Sequence, residues 1–170
     1  MIFVPPSLIF TVLVAGDCSG SRTNMTMEQA CRAACGNAAA GEPMHQFCMV
    51  TLRDDDTHAG SIDKAGEYAY RAAWRALWAY LDTLGRAWHL LGNAPLAGEE
   101  KAAYWFCVGG RPVPGGQGGH GQRHRYRTAL RDVKACRDRL LAKLPSSPLL
   151  TMVEADDKRT LLAYLLCKLL

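Results

Sequence analysis

The sequence predicts an all-α domain: an antiparallel up-and-down four-helix bundle preceded by a short N-terminal helical hairpin. Three observations predict it. Apolar residues recur at three- and four-residue intervals over long stretches, Gly and Pro punctuate the ends of those stretches, and nothing between them reads as a strand. At 170 residues the chain suits one domain with a proper hydrophobic core.

The elements follow in order. Thr26-Met27-Glu28-Gln29 has the Thr-x-x-Gln spacing of a capping box, which satisfies orphan N–H groups at the start of a short helix carrying Cys31 and Cys35. A loop with Gly36, Asn37, Gly41 and Pro43 follows, then a second short segment around Cys48 to Leu52. The acidic Asp54-Asp55-Asp56 run leads into the first long helix. Over residues 61–91, Ile62, Ala65, Ala69, Ala72, Ala73, Ala76, Tyr80, Leu84, Ala87 and Leu91 form one stripe, and Gly92 ends it. Pro95 is placed to open the next helix, through Ala102, Ala103 and Tyr104 to about Cys107. Residues 109–121 hold seven glycines and two prolines, a connector in which no regular element survives. Helical spacing resumes with Tyr126, Ala129, Leu130, Val133, Cys136, Leu140 and Leu144 and stops at Pro145. A second capping box, Thr151-Met152-Val153-Glu154, is expected to open a last helix that buries Leu161, Leu162, Leu165, Leu166 and Leu169.

Seven cysteines in so short a chain fit an oxidising compartment. Residues 1–16 are uncharged and apolar, too short for a bilayer span and suited to a signal-peptide core, with Val14 and Gly16 meeting the small-residue cleavage pattern. No Lys or Arg precedes the run, and Pro5-Pro6 interrupts it. Asn24-Met25-Thr26 is an N-glycosylation sequon beyond the expected cleavage point. Secretion is the expectation, with residues 26–170 as the working domain and no later segment apolar enough to span a membrane.

The order Cys31, loop, Phe47-Cys48, then Leu52, Asp54 and Asp56 before a long helix resembles the opening of the plant invertase and pectin methylesterase inhibitor family. Ala129-Leu130 through Cys136 and Leu140 is similar to that family's third bundle helix, and residues 148–170 to its closing helix. The resemblance implies bridges from Cys31 to Cys48 and from Cys107 to Cys136, a pairing the residues alone leave open. It implies a protein that blocks an enzyme by stoichiometric binding in the cell wall or apoplast, with no chemistry of its own and no cofactor. The invertase inhibitors present a Pro-Lys-Phe stretch between the second and third bundle helices. Here Arg111-Pro112-Val113-Pro114 stands instead, and the segment between Cys107 and Cys136 is shorter and richer in glycine than in the family. Pectin methylesterase is therefore the expected target and invertase the alternative, with a diverged, non-inhibitory wall-binding protein as the reading from another class. Cys18 is expected to leave with the signal or stay as an odd thiol. Cys35 and Cys167 fall outside the family pattern and read as small buried hydrophobes or an added bridge.

The net charge of +4 and pI of 8.7 are moderate, so nucleic acid is not implied. The excess is local: Arg111, Arg123, Arg125, Arg127, Arg131, Lys134, Arg137 and Arg139 face only Asp132 and Asp138 in that stretch. Arg123, Arg125, Arg127, Arg131 and Lys134 are the candidate partner-binding residues, for an acidic enzyme cleft or anionic pectin, against the bland reading of a solvated helix face. Tyr70, Trp74, Trp78 and Leu81 form a second stripe on the first long helix, expected to be buried on the hairpin or neighbouring helices. Other signals are discounted. Residues 116–121 match Gly-x-Gly-x-x-Gly without a preceding strand. His120 and His124 lack further ligands at metal spacing, and no Ser-His-Asp arrangement has triad context.

Overall fold

A computed structural model describes residues 24–36, 41–53, 62–109 and 122–170. Within them lie six helices: α1 (Met27–Cys35), α2 (Gly41–Leu52), α3 (Ala65–Asn93), α4 (Gly98–Gly109), α5 (Gln122–Lys143) and α6 (Pro148–Cys167). Two three-residue strands, β1 (Asn24–Thr26) and β2 (Ile62–Lys64), pair antiparallel with Met25 opposite Asp63. The expectation of no strand is corrected there: three residues on either side are too few to carry an alternating pattern. Residues 1–16, Cys18, the Asp54–Asp56 run and residues 110–121 of the glycine-rich stretch lie outside the described residues, while Gly109 ends α4. The chain divides into two compact units, residues 1–77 with 159–170, and residues 78–158.

In the first unit the capping box forms as expected. The Thr26 N–H donates to Gln29 Oε1 at 2.8 Å and the Gln29 N–H to Thr26 Oγ1 at 3.2 Å, so two donors that helix geometry would orphan are satisfied. Thr26→Ala should cost about 1 kcal/mol, as loss of an N-cap does, read as a lower urea midpoint at unchanged m-value. Helix α1 buries Met27, Ala30, Cys31, Ala34 and Cys35, and α2 buries Met44, Cys48 and Leu52. The two helices pack together and a disulfide joins Cys31 to Cys48, with Cα atoms 5.6 Å apart. Helix α2 begins earlier than its sequence suggests, because Gly41 and Pro43 lie in its first turn. Proline is tolerated there, where its missing N–H has no intrahelical partner to lose. The predicted stripe on α3 supplies Ala65, Ala69, Ala72 and Ala73 to this core, and α6 supplies Leu162, Ala163 and Leu166. Tyr68 is buried beside that stripe because its hydroxyl donates to the Met25 carbonyl at 3.2 Å, which ties α3 to β1.

In the second unit Ala87 of α3, Ala103 and Tyr104 of α4, Cys136 and Leu140 of α5, and Leu149, Leu150 and Val153 of α6 form one buried cluster. Cys107 and Cys136 are disulfide-bonded, Cα atoms 5.0 Å apart, joining the end of α4 to the middle of α5. Helix α6 starts three residues before the expected Thr151. Pro148 takes the first helical position and the Ser147 hydroxyl accepts from the Leu149 N–H at 3.2 Å, while also hydrogen-bonding the buried Tyr104 hydroxyl at 2.9 Å. A Ser-Pro start therefore outcompetes the downstream Thr-x-x-Glu. Helix α4 likewise opens after Pro95, with Glu100 Oε2 accepting from the Ala97 N–H at 3.0 Å.

Candidate functional site

Helix α5 carries the candidate site because its two faces are chemically opposed. Leu130, Cys136 and Leu140 are buried, while Arg127, Arg131 and Lys134, at spacings of four and three residues, are exposed on one side. At a rise of about 1.5 Å per residue, three cations line roughly 10 Å of helix. Arg123 and Arg125 belong to the helical backbone of α5, and their side chains lie outside the described residues. The predicted residues are thus brought onto one helix, three of them onto one exposed face.

Arg137 departs from the picture of a uniformly basic helix. Its guanidinium binds Asp138 through Nε (3.1 Å) and Nη2 (2.8 Å), and through Nη1 it binds Asp157 on α6, whose side chain is largely buried. The Asp138 hydrogen bond and the nearby carboxylates hold its pKa above the ordinary guanidinium value, so this cation is a fixed clamp between helices. Arg131 reaches the adjacent Asp132 at 3.7 Å with both side chains exposed, a contact worth little energetically. Partial desolvation at the helix surface pushes the Asp132 carboxyl up, which the charge and hydrogen bond of Arg131 partly offset.

Burial, together with the negative charges of Asp156 and Asp132, holds the Tyr80 hydroxyl above the ordinary 10.0. A phenol whose folded pKa is raised binds its proton more tightly when folded. Its contribution to stability is complete below 10.0 and is lost as pH rises through the folded value. Between about pH 9 and pH 11 the wild-type melting temperature should fall more steeply than that of Tyr80→Phe, and coincident curves would refute the assignment.

The aromatic stripe on α3 is corrected in part. Tyr70 and Trp74 meet edge to face at 6.0 Å between centroids, but Tyr70 is 38% and Trp78 64% exposed. A second aromatic group, missed in the sequence, joins α3 to α4: Trp88 and Trp105 meet edge to face at 5.1 Å, both about half exposed. Seventeen positions separate the two indoles, so helical periodicity could not pair them. Cys167, read as a buried thiol by preference, is disulfide-bonded, whereas Cys35 is a buried free thiol beside the Met44 carbonyl and burial raises its pKa. Among the described residues no three His, Cys, Asp or Glu side chains gather as a metal site requires, and no helix is long and apolar enough to cross a membrane. The chain matches no protein-family model, no curated protein and no solved structure.

Proposed function

We propose that this chain is a secreted inhibitor of pectin methylesterase, with α3–α6 as an antiparallel four-helix bundle, α1 and α2 as its N-terminal hairpin, and stoichiometric binding over the substrate cleft as its mode of action. One observation carries the reading. An all-helical chain closes Cys31 with Cys48 and Cys107 with Cys136, the pairing implied by the resemblance to the plant inhibitors, although four cysteines alone allow three pairings. The exposed cations of α5 supply the electrostatic attraction that would steer such a protein to an acidic cleft and hold it near anionic pectin. Residues 1–16 act as the export signal in this reading, and Asn24, exposed at the start of β1, is available for glycosylation.

Titration of the oxidised protein against a plant pectin methylesterase and a cell-wall invertase tests the proposal. Pectin methylesterase activity should fall to completion near one equivalent, invertase should be unaffected, and retention of both activities at micromolar inhibitor would refute it. Joint reversal of Arg127, Arg131 and Lys134 to Glu should weaken inhibition by at least about tenfold at low salt, and by less at high salt, because exposed charges act mainly on association.

A further inference from the structure

The chain has seven cysteines, and the bonding of its sulfurs leaves one question open. Cys31 is bonded to Cys48 and Cys107 to Cys136, while Cys35 is a buried free thiol. Cys167, the last residue of α6, is disulfide-bonded as well, within a single chain. A disulfide needs two sulfurs. Of the six other cysteines four are taken and Cys35 is free, which leaves Cys18. The fold agrees with that partner. Cys167 is buried next to the fully buried Leu166, in the C-terminal segment that shares the first compact unit with residues 1–77. Covalent reach is sufficient too: six residues separate Cys18 from Asn24, where β1 begins, and an extended chain of that length spans about 20 Å. A compact unit of this size has a radius of gyration of only about 12 Å.

We infer that Cys18 is the partner of Cys167, in a third disulfide that joins the start of the exported chain to the end of α6, and that export processing cuts before residue 18. The position of the cut rests on the signal reading above; the bond does not. Val14 and Gly16, as the third and first residues before a cut, leave Asp17 as the new N-terminus and keep Cys18 in the product. Cys18 therefore neither leaves with the signal nor stays as an odd thiol. Forming the bond takes two protons and two electrons from the Cys18 and Cys167 thiols. They pass to the disulfide of an oxidised thiol–disulfide oxidoreductase in the secretory compartment, which leaves as the dithiol. Neither bridge implied by the resemblance to the plant inhibitors uses these two cysteines, so the bond is an addition to that frame. Cys35 is then the sole thiol. Its S–H donates to the Met44 carbonyl at 3.6 Å and burial raises its pKa, so little thiolate is present to attack the three bridges.

The test is peptide mapping without reduction. One sample is the full chain expressed through a eukaryotic secretory host, and a second is the reduced full chain refolded in a glutathione buffer. Both are denatured, alkylated and digested with trypsin. Cys35 should be the one alkylated residue, and a disulfide-linked pair should join the peptide that ends at Arg22 to residues 160–168. In the secreted sample the first member of that pair should begin at Asp17. Alkylated Cys18 and Cys167, Cys167 linked to the peptide of Cys35, or a covalent dimer through Cys167 overturns the bond. The linked pair in the refolded sample, with no secretion of the chain by the host, sinks the export reading and leaves the bond standing. A secreted chain that begins beyond Cys18 overturns the inference and leaves the export reading in place.

Discussion

Replacing Cys107 and Cys136 together by Ala should lower the unfolding free energy by about 3.6 kcal/mol, the chain-entropy value for a bridge closing 29 residues. The corresponding value for Cys31 and Cys48, 17 residues apart, is about 3.1 kcal/mol. The first bridge matters more for a reason beyond loop length. It ties the end of α4 to α5 at Cys136, inside the buried cluster of the second unit. Since a chain of this size shifts its melting temperature by about 2–4 °C per kcal/mol, the double variant should melt roughly 7–14 °C lower. Urea unfolding measured without reductant is the check. A loss below about 1 kcal/mol would mean that the cross-link constrains an already compact denatured state.

That bridge also marks how far the sequence could be read. The Ala stripe on α3 was legible because burial demands a continuous apolar face, and Ala65, Ala69, Ala72, Ala73 and Ala87 are buried. The Thr26–Gln29 box was legible because its chemistry is local. Periodicity places side chains on a common face but does not say which way that face turns, so Trp78 was expected inside and lies outside. Contacts between distant segments left no local trace. The Trp88–Trp105 pair, the Tyr68 hydroxyl on Met25 and the Arg137 clamp on Asp157 each join residues at least 17 positions apart. The candidate site was accordingly legible as a run of charge on α5, while the tie of Arg137 to Asp157 required the neighbouring helix.

Leu140 is where the second large effect is expected. It is fully buried on α5, one turn beyond Cys136, inside the cluster formed by Tyr104, Leu149, Leu150 and Val153. Leu140→Ala removes three heavy atoms from a site held by three helices and a disulfide. The surroundings collapse only partly, and the loss should fall at about 3–4 kcal/mol, in the upper part of the range for buried Leu→Ala. Leu140→Met keeps most of the volume and should cost less than about 1.5 kcal/mol. Its neighbour gives the control, because Leu141, about 100° further round the same helix, is 54% exposed, and Leu141→Ala should change stability by no more than about 0.5 kcal/mol. Helix propensity is common to both Ala substitutions, so the difference between them isolates burial. Equal destabilisation by the two, measured by urea midpoints at unchanged m-value, would show that α5 does not turn its Cys136–Leu140 face inward, and the exposure of Arg127, Arg131 and Lys134 would fall with it.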